Sequence, residues 1–396
     1  MVGCSTVASA PAQPQGPASS IAAVRVSLPA GFRVKELALG DYHSCVLLES
    51  GRVACWGSNG MGELGQGSGE ASTVPVLVPG VLDAVGIRAS RATTCVLSRS
   101  GVVSCWGDNA HGQADPQYDA ALKSAPTPWG VYDSTGEPPR FTPANVLRGA
   151  RVNAAAGGAR SIALGHAHGC AVLDGGRVRC WGDGSRGQLG VEGRDAFEVA
   201  DVSGVPPLVE LVSGIAYACG RTAEGSVWCW GDNHLAQLGS AAPGPAPRQV
   251  PGVTGATALL VGADRMCARL GSGQVMCWGD SLDCGEDHPH APVLVPELDH
   301  ALQFVRAAGE CFWCVLDGAQ RLACDGDPIS QIHFNLDGVA SVAAGISHAC
   351  AVRTDDSVWC WGSNVQGELG RTTAEDKDPA PAPVLWPDQM FEQVKT

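Results

Sequence analysis

The chain has 396 residues, and its 40 acidic side chains against 26 lysines and arginines give a formal net charge of −14. This balance, without any run of basic residues, excludes a surface built to bind nucleic acid or an anionic membrane. Charged residues make up only 17% of the chain and hydrophobic residues 45%, which excludes a disordered or coiled-coil protein. No stretch approaches the roughly 20 apolar residues of a membrane span.

Residues 1–20 differ in composition from everything that follows, since Ala, Ser, Pro and Gln dominate and core-forming residues are scarce. Such a segment predicts a tether. The opening Met1-Val2-Gly3-Cys4 resembles the end of a bacterial lipobox, in which the cysteine becomes a lipidated N-terminus. The earlier parts of a signal peptide do not precede it, so either the printed start is internal to the true one or the resemblance is accidental. We expect lipidation at Cys4, with a dispensable thiol as the alternative.

From residue 21 onwards the chain repeats itself. The segment GDYHSCVLLESGRVACWGSNGMGELG recurs with variations, and the second cysteine of each copy returns about every 51 residues. The copies are Gly40–Gly65, Ser90–Gln113, Gly165–Gly190, Gly214–Gly239, Gly262–Asp280, Gly309–Asp327 and Gly345–Gly370. Seven copies in phase indicate a single repeat architecture over residues 21–396.

Each copy has the pattern of four strands. In the first copy these are Val34–Leu39, Cys45–Leu48, Arg52–Trp56 and Val74–Val78. The middle two flank a glycine turn with alternating apolar residues, which is a hairpin signal. Four strands repeated seven times at about 50 residues are typical of an all-β, seven-bladed propeller. Outer-strand-like runs at both ends, Ala23–Leu28 and Pro383–Trp386, each offer a way to complete blade seven.

The shared pattern, Gly-x-x-His-x-Cys, then Gly-x-Val-x-x-Trp-Gly, then Gly-[Glu/Gln]-Leu-Gly, resembles the repeats of the regulator of chromosome condensation family. The resemblance covers roughly residues 21–396 and implies a seven-bladed β-propeller. Family members include a nucleotide exchange factor for the small GTPase Ran, a secreted bacterial inhibitor of β-lactamases and cell-envelope proteins. The resemblance therefore implies a fold much more strongly than a function.

Fourteen of the 17 cysteines form pairs that are ten residues apart, one pair in each copy. Residues at i and i+10 in a tight hairpin lie opposite each other, within the reach of a disulfide. We predict one intrablade disulfide per blade, with buried thiols as the alternative. The predicted pairs are Cys45 with Cys55, Cys95 with Cys105, Cys170 with Cys180, Cys219 with Cys229, Cys267 with Cys277, Cys314 with Cys324, and Cys350 with Cys360. Persistent disulfides indicate an oxidising compartment, which disfavours the cytoplasm.

Two further cysteines, Cys284 and Cys311, fall in loops of adjacent blades on the same face. We predict that they are bonded to each other. The neighbouring cluster Asp283–His290 contains residue types that bind metals, but acidic and His residues in loops are usually solvated. We therefore predict no metal site and no cofactor.

Residues that recur in the repeat are interpreted as structural, and the repeated histidine is expected to bond its own turn after Gly40, Gly165 or Gly345. His43, His168 and His348 occupy one slot, which Tyr217 and Phe312 fill in other copies, so the slot does not serve proton transfer. The repeated Trp of Cys-Trp-Gly is interpreted as packing between blades, and Asp325 replaces it in copy six. Comparison of the seven copies leaves no set of candidate catalytic residues, so the sequence predicts a non-enzymatic protein.

A 25-residue excess between copies two and three, Ala114–Arg140, predicts a binding surface. It falls on the face that carries the Gly-x-x-His turns and the loops after Trp-Gly, which we call the turn face; the cysteine hairpins mark the opposite, hairpin face. Exposed aromatic residues are enriched at binding hot spots. The predicted binding residues are Tyr118, Trp129 and Tyr132 in the insertion, with Asp41, Tyr42, His111 and His166 from neighbouring turns. A loop whose aromatics pack back on the blade is the alternative.

These patterns predict a monomeric, secreted or envelope-tethered propeller that binds a macromolecule, with a membrane contact only through the lipid anchor. The partner is expected to be a protein, with a glycan as the alternative and nucleic acid excluded. The competing function is a regulator of the same fold, either a guanine-nucleotide exchange factor for a small GTPase or a secreted enzyme inhibitor.

Overall fold

The computed structural model describes residues 24–25, 28, 32–114, 158–191, 198–240, 245–262, 264–280, 291–307, 312–326 and 334–392. In these residues the chain forms seven antiparallel sheets arranged as the blades of a propeller. Six sheets have four strands, and the described part of the second blade has three. The all-β, seven-bladed prediction is confirmed.

Within each blade the strands follow chain order from the inner to the outer edge. Blade 1 contains β2 (Val34–Leu39), β3 (His43–Leu48), β4 (Val53–Gly57) and β5 (Ser72–Leu77). Blade 2 contains β6 (Ala84–Ser90), β7 (Thr93–Ser98) and β8 (Val103–Gly107). Blade 3 contains β9 (Ala159–Leu164), β10 (His168–Leu173), β11 (Val178–Gly182) and β12 (Glu198–Val202). Blade 4 contains β13 (Leu208–Ser213), β14 (Tyr217–Thr222), β15 (Val227–Gly231) and β16 (Arg248–Gln249).

The later blades repeat this plan. Blade 5 contains β17 (Ala256–Val261), β18 (Arg265–Leu270), β19 (Val275–Gly279) and β20 (Val293–Leu294). Blade 6 contains β21 (Ala301–Ala307), β22 (Phe312–Asp317), β23 (Arg321–Gly326) and β24 (Phe334–Asp337). Blade 7 contains β25 (Val339–Ala344), β26 (His348–Arg353), β27 (Val358–Ser363) and β28 (Lys377–Pro383). Two short strands, β1 (Val24–Arg25) and β29 (Trp386–Pro387), and one helix, α1 (Asp388–Glu392), lie outside the blades.

The inner strands surround the axis, each in contact with the inner strand of the next blade, and β25 returns to β2. Because consecutive strands are antiparallel, the turn after each inner strand and the loop after each third strand lie on the turn face. Every inner strand also shows one irregularity in its pairing with the second strand, close to the hairpin face. Such bulges increase the local twist of a strand.

Each blade contains one disulfide between its second and third strands, so all seven predicted intrablade pairs are confirmed. The Cα atoms of each pair are 4.0 to 4.1 Å apart, and the partners lie opposite each other in the ladder. The bonded pairs are Cys45 with Cys55, Cys95 with Cys105, Cys170 with Cys180, Cys219 with Cys229, Cys267 with Cys277, Cys314 with Cys324, and Cys350 with Cys360. All of these cysteines are buried. The sulfur bridges therefore join the two central strands of every blade inside the core.

The hydrophobic core lies between blades. Buried side chains of the described residues form seven clusters, and each cluster joins two neighbouring blades. The cluster between blades 7 and 1 also takes in Trp386, Met390 and Phe391 from beyond the last blade. Each blade thus buries its faces only against its neighbours, so the ring is the stable unit.

The C-terminal part of the chain completes blade seven. Its outer strand is β28, which pairs with β27. The N-terminal strand β1 instead pairs with β29, outside the blade. Of the two end runs in the sequence, the N-terminal one therefore does not supply the outer strand, and the C-terminal one contributes only Pro383 to it, because β28 lies mainly upstream of that run and Trp386 belongs to β29. No helix in the described part of the chain is long and apolar enough to span a membrane.

Candidate functional site

The repeated histidine joins neighbouring blades. His43 Nε2 lies 2.8 Å from the hydroxyl of Thr94 in blade 2, and His348 Nε2 lies 2.9 Å from the hydroxyl of Ser44 in blade 1. Complete burial lowers the pKa of His43 to about 4 and that of His348 to about 3, so both rings are neutral at physiological pH. The sequence interpretation placed the bond within the histidine's own turn, whereas the ring bonds the next blade.

Other side chains at the repeat position of His43 also bond the next blade where that blade offers a hydrogen-bond partner. In blade 4 the hydroxyl of Tyr217 donates to the carbonyl of Arg265 in blade 5, at 3.0 Å. In blade 3 the position that would supply a hydroxyl to His168 is Ala218, and neither ring nitrogen of His168 has a partner among the described residues. Burial lowers the pKa of His168 to about 4. These side chains are buried in the core and do not line the cavity at the channel mouth.

The repeated tryptophan also joins blades. In five blades its indole N–H donates to the main-chain carbonyl of the Glu or Gln in the Gly-[Glu/Gln]-Leu-Gly segment of the preceding blade, at 2.7 to 3.1 Å. The pairs are Trp56–Glu368, Trp106–Glu63, Trp181–Gln113, Trp230–Gln188 and Trp278–Gln237. Trp361 in blade 7 has no such partner among the described residues, and the loop of blade 6 at the corresponding position, residues 327–333, lies outside them.

Because these repeat positions hold neighbouring blades together, the positions that vary between copies are the candidates for function. The residue after the turn glycine, whose place Ser90 takes in blade 2, is one of them, and in blades 1 to 4 and 7 it lies at the end of the central channel. The positions in blades 5 and 6, 263 and 310, lie outside the described residues. The residue is Asp41 in blade 1, Arg91 in blade 2 and His166 in blade 3, but Ile215 in blade 4 and Ile346 in blade 7. All five line a cavity of about 240 Å³ at the turn face.

The turns around this cavity are tied to each other by the main chain. The N–H of Asp41 donates to the carbonyl of Arg91 at 2.8 Å, and the N–H of His166 donates to the carbonyl of Ile215 at 3.0 Å. The side chains are therefore presented by backbone that neighbouring blades hold in place. A rigid scaffold of this kind fixes the orientation of a binding group before a ligand arrives.

Burial shifts the pKa values of the polar groups at the mouth. Desolvation raises the pKa of Asp41, although the nearby His166 and Arg91 act in the opposite direction. Desolvation likewise lowers the pKa of His166, against the pull of the Asp41 and Asp264 carboxylates. Asp41 and His166 are thus half-buried groups that desolvation shifts towards their neutral forms.

A second polar group lies beside the mouth on blades 3 to 5. The Asp232 carboxylate accepts from Arg186 at 2.5 Å and from the His234 ring at 2.7 Å, and these bonds hold the pKa of Asp232 below its usual range against desolvation. Gln237 Nε2 donates to Asp264 at 3.2 Å, yet burial still raises the pKa of Asp264. The described residues contain no group of three His, Cys, Asp or Glu able to hold a metal ion.

The sequence-predicted binding residues fall into two groups. Asp41 and His166 line the channel mouth, and Tyr42 lies next to it with 46% of its surface exposed. His111 lies in the loop after β8, where its N–H donates to Gln113 at 2.8 Å. Tyr118, Trp129 and Tyr132 lie outside the described residues, as do Cys4, Cys284, Cys311 and the cluster 283–290.

Sequence reasoning did not single out Arg91, Ile215 or Ile346. The available signal was variation at one fixed repeat position, since a slot free of structural duty is the one that varies between copies. It also missed the exposed bulge residues on the hairpin face, among them Val209 and Leu302, which are 54% and 44% exposed. Alignment of the copies shows which residues share a slot but not which slots form bulges.

Family models for the regulator of chromosome condensation (RCC1) repeat match residues 34–63, 85–113, 159–188 and 339–368, and, in a second model, residues 50–97. The RCC1 domain-containing protein RUG3, mitochondrial, of Arabidopsis thaliana is 40% identical over 53 residues, which cover 13% of this chain and 12% of RUG3. The matched segment is thus only a small part of that relative.

Solved structures match over most of the chain. Yeast RCC1 (Prp20) bound to Kap60 aligns with a TM-score of 0.66 and 16% identity, over 96% of this chain and 90% of that one. Human WBSCR16 aligns with a TM-score of 0.58 and 20% identity, over 90% and 83%. The ectodomain of the Physcomitrella patens receptor kinase CR4 aligns with a TM-score of 0.52 and 20% identity, over 83% and 72%. These similarities concern the fold.

Proposed function

We propose that this chain, which carries regulator of chromosome condensation repeats folded as a seven-bladed propeller, is a non-catalytic ring that binds another protein through its turn face. The observation that carries the proposal is the split channel mouth: a fixed repeat slot presents Asp41, Arg91 and His166 on three consecutive blades and isoleucines on two others. A preorganised surface that is polar on one side and apolar on the other suits recognition more than chemistry.

Several features support a protein as the partner. Tyr42 adds an exposed aromatic side chain beside the mouth. Among proteins of the same fold, yeast RCC1 (Prp20) is known in complex with Kap60, and Prp20p is described as binding Gsp1p and histones. Protein binding by a propeller of this kind is therefore the default, with a glycan as the alternative partner.

The disulfides support a location outside the reducing interior of the cell. Seven buried bridges, one per blade, would not persist in a glutathione-reduced compartment. The ectodomain of CR4 provides a precedent for this fold in an extracellular part of a protein. We propose secretion or tethering to the cell envelope, with the segment 1–20 as the tether and Cys4 as its lipid-bearing residue.

A guanine-nucleotide exchange factor is the second candidate, because the Prp20 structure aligns with the whole ring. That role requires the protein to meet a small GTPase in the interior of the cell, where cysteines are kept reduced. Non-reducing peptide mapping of protein from its native cells separates the two candidates. Seven links between cysteines ten residues apart support the extracytoplasmic function, and mostly free thiols support the exchange factor.

The binding surface is tested with substitutions on opposite faces. Tyr42 and Val209 are similarly exposed, at 46% and 54%, on the turn face and the hairpin face respectively. Protein captured from an envelope extract should be lost with Tyr42→Asp and kept with Val209→Asp, while both variants keep the unfolding transition. The double variant Trp129→Ala/Tyr132→Ala should also lose the partner. The reverse pattern would place binding on the hairpin face, and loss of capture on deglycosylation of the extract would identify a glycan.

Anchoring is tested separately. Expressed with its natural upstream sequence, the protein should enter the detergent phase and incorporate labelled palmitate, and Cys4→Ser should abolish both. Incorporation that persists in the Ser variant would contradict a role for Cys4.

A further inference from the structure

We infer that the outer edge of blade 3, formed by β12, accepts an extended, basic segment of another protein as a fifth strand. This edge lies at the rim of the ring, away from the channel mouth. The inference therefore goes beyond the proposed function and does not rest on it. It follows from one repeat position at which blade 3 differs from four other blades.

The pairing of each outer strand determines which of its main-chain groups face outwards. The bonded cysteines of the second and third strands have Cα atoms 4.0 to 4.1 Å apart, a close spacing that is typical of opposed residues without mutual main-chain hydrogen bonds. The main-chain groups of the third-strand cysteine therefore point to the outer strand, and those of its partner point back. In blade 1 this partner is Val76, and the N–H of Val78 also donates inwards, to the carbonyl of Val53 at 2.8 Å. The residues on either side of the partner thus direct their N–H and C=O groups away from the blade.

Four blades have a proline at the first of these outward positions, directly before the partner of the third-strand cysteine. Because proline has no N–H, it removes a donor from the edge, and proteins use prolines on edge strands to prevent the addition of a further strand. The prolines of blades 1, 4, 5 and 7 are Pro75, Pro247, Pro292 and Pro381. The corresponding positions of blades 2 and 6 lie outside the described residues.

Blade 3 has a valine at this position. Val199 directly precedes Ala200, the partner of Cys180, and β12 pairs with β11 over all five of its residues. The outward N–H and C=O groups of Val199 and Asp201 have no hydrogen-bond partner among the described residues. The side chain of Val199 is 40% exposed. Alternate residues with a free donor and a free acceptor form the template on which an added strand pairs.

Asp201 determines the charge of the expected strand. Arg179 donates to its carboxylate from Nε and Nη2, at 2.7 and 3.0 Å, and holds the pKa of Asp201 below its usual range. The side chain of Arg179 is 15% exposed and that of Asp201 65%, so an incoming strand meets the carboxylate. A lysine or arginine directly opposite forms a favourable cross-strand pair, whereas a like charge is unfavourable. A second copy of this chain is a poorer occupant, because it brings another Asp201 and a net charge of −14.

Amide hydrogen exchange at residue resolution tests whether the edge is open. In the full chain alone, the N–H groups of Val199 and Asp201 should exchange about tenfold or more faster than those of Ala200 and Val202, which face β11. Slow exchange at all four residues would show that another segment of this chain or a second copy already covers the edge. That result would overturn the inference.

The probe for strand addition is a blocked octapeptide of alternating threonine and lysine, used at millimolar concentration. A second peptide carries glutamate in place of lysine. We expect the lysine peptide to slow exchange at Val199 and Asp201 by about tenfold and the glutamate peptide to leave it unchanged. Slowing at neither residue, or equal slowing by the two peptides, would contradict the inference.

Val199→Pro should abolish the slowing at Asp201, and Val199→Ala is the matched control that keeps the main-chain donor. Val199→Pro should fold, because four other blades carry proline at this position and the N–H is not part of the ladder; the peptide comparison on the unaltered chain does not depend on it. Slowing at Asp201 that survives Val199→Pro would exclude strand addition. Slowing that disappears with Val199→Ala would show that the side chain, rather than the main chain, binds the peptide, and would equally overturn the inference.

Discussion

The indole N–H of Trp56 donates to the main-chain carbonyl of Glu368, 2.7 Å away, and joins blade 1 to a residue 312 positions later in blade 7. Both residues are buried, and the hydroxyl of Ser44 donates to the same carbonyl at 3.0 Å. Trp56 also packs edge-on against Trp386, with ring centroids 6.0 Å apart. Hydrogen bonds and aromatic packing therefore close the ring where no chain connection does.

Replacing Trp56 by phenylalanine should weaken this closure. The change removes the indole donor as well as volume, and a buried hydrogen bond contributes about 1 kcal/mol. Trp361→Phe is the matched control, because Trp361 is equally buried but its N–H has no partner among the described residues. We expect Trp56→Phe to lower the free energy of unfolding, measured by denaturant titration, by about 1 kcal/mol more than Trp361→Phe. Equal losses would mean that the bond to Glu368 does not hold the ring.

The sequence predicts what lies within one repeat. The spacing of Cys45 and Cys55 fixes their pairing because both belong to one hairpin, and the recurrence of Trp56 indicates its burial. It does not predict the partners Glu368 or Thr94, because these contacts form between copies and depend on how neighbouring blades stack. For the same reason it leaves open which end of the chain completes blade seven. The channel mouth was half predicted, since Asp41 and His166 were singled out but the facing isoleucines were not.

Cys284 and Cys311 should form an eighth disulfide. In the sequence the first falls between β19 and β20 and the second directly precedes β22, and the repeat pattern predicts both on the same face of adjacent blades. A bond here would support the junction where Asp325 takes the place of the repeated tryptophan. Alkylation of the folded, unreduced protein followed by peptide mapping should recover the two cysteines as one linked pair. An alkylated Cys284 would show that the pairing is wrong.

The buried histidines predict a loss of stability in acid. Burial lowers the pKa of His43 and His168 to about 4, from an ordinary value of 6.5. The unfolded chain therefore takes up protons first, and the stabilisation present above about pH 6.5 is lost as the pH falls towards 4. Each unit of depression corresponds to about 1.4 kcal/mol. Burial raises the pKa of Glu63 and Glu368, which acts in the opposite direction, so variants are needed to isolate the histidines.

His348→Gln removes one of these titratable rings, while the glutamine amide can still reach the Ser44 hydroxyl. Its free energy of unfolding should fall less than that of the unaltered chain between pH 6.5 and pH 4, because burial lowers the pKa of His348 to about 3. His300→Gln is the surface control, since that side chain is exposed, and it should follow the unaltered chain. A His348→Gln profile parallel to that of the unaltered chain would contradict a neutral, buried ring at this position.

Gly345→Ala should weaken the packing between blades 7 and 1. A Cβ atom at this position would lie 2.3 Å from the carbonyl oxygen of Gly40 and 2.5 Å from Cε1 of His348, so neither the turn of the next blade nor the imidazole could keep its place. Because the ring of His348 bonds Ser44, its displacement would also break that bond. Overpacking of this kind lowers the free energy of unfolding by about 1–3 kcal/mol. Gly60→Ala lies on the same face with nothing within 4 Å of the added Cβ, and it should leave the unfolding free energy within about 0.5 kcal/mol. If Gly345→Ala and Gly60→Ala both unfold like the unaltered chain, close contact between the turns is not the reason that position 345 is glycine.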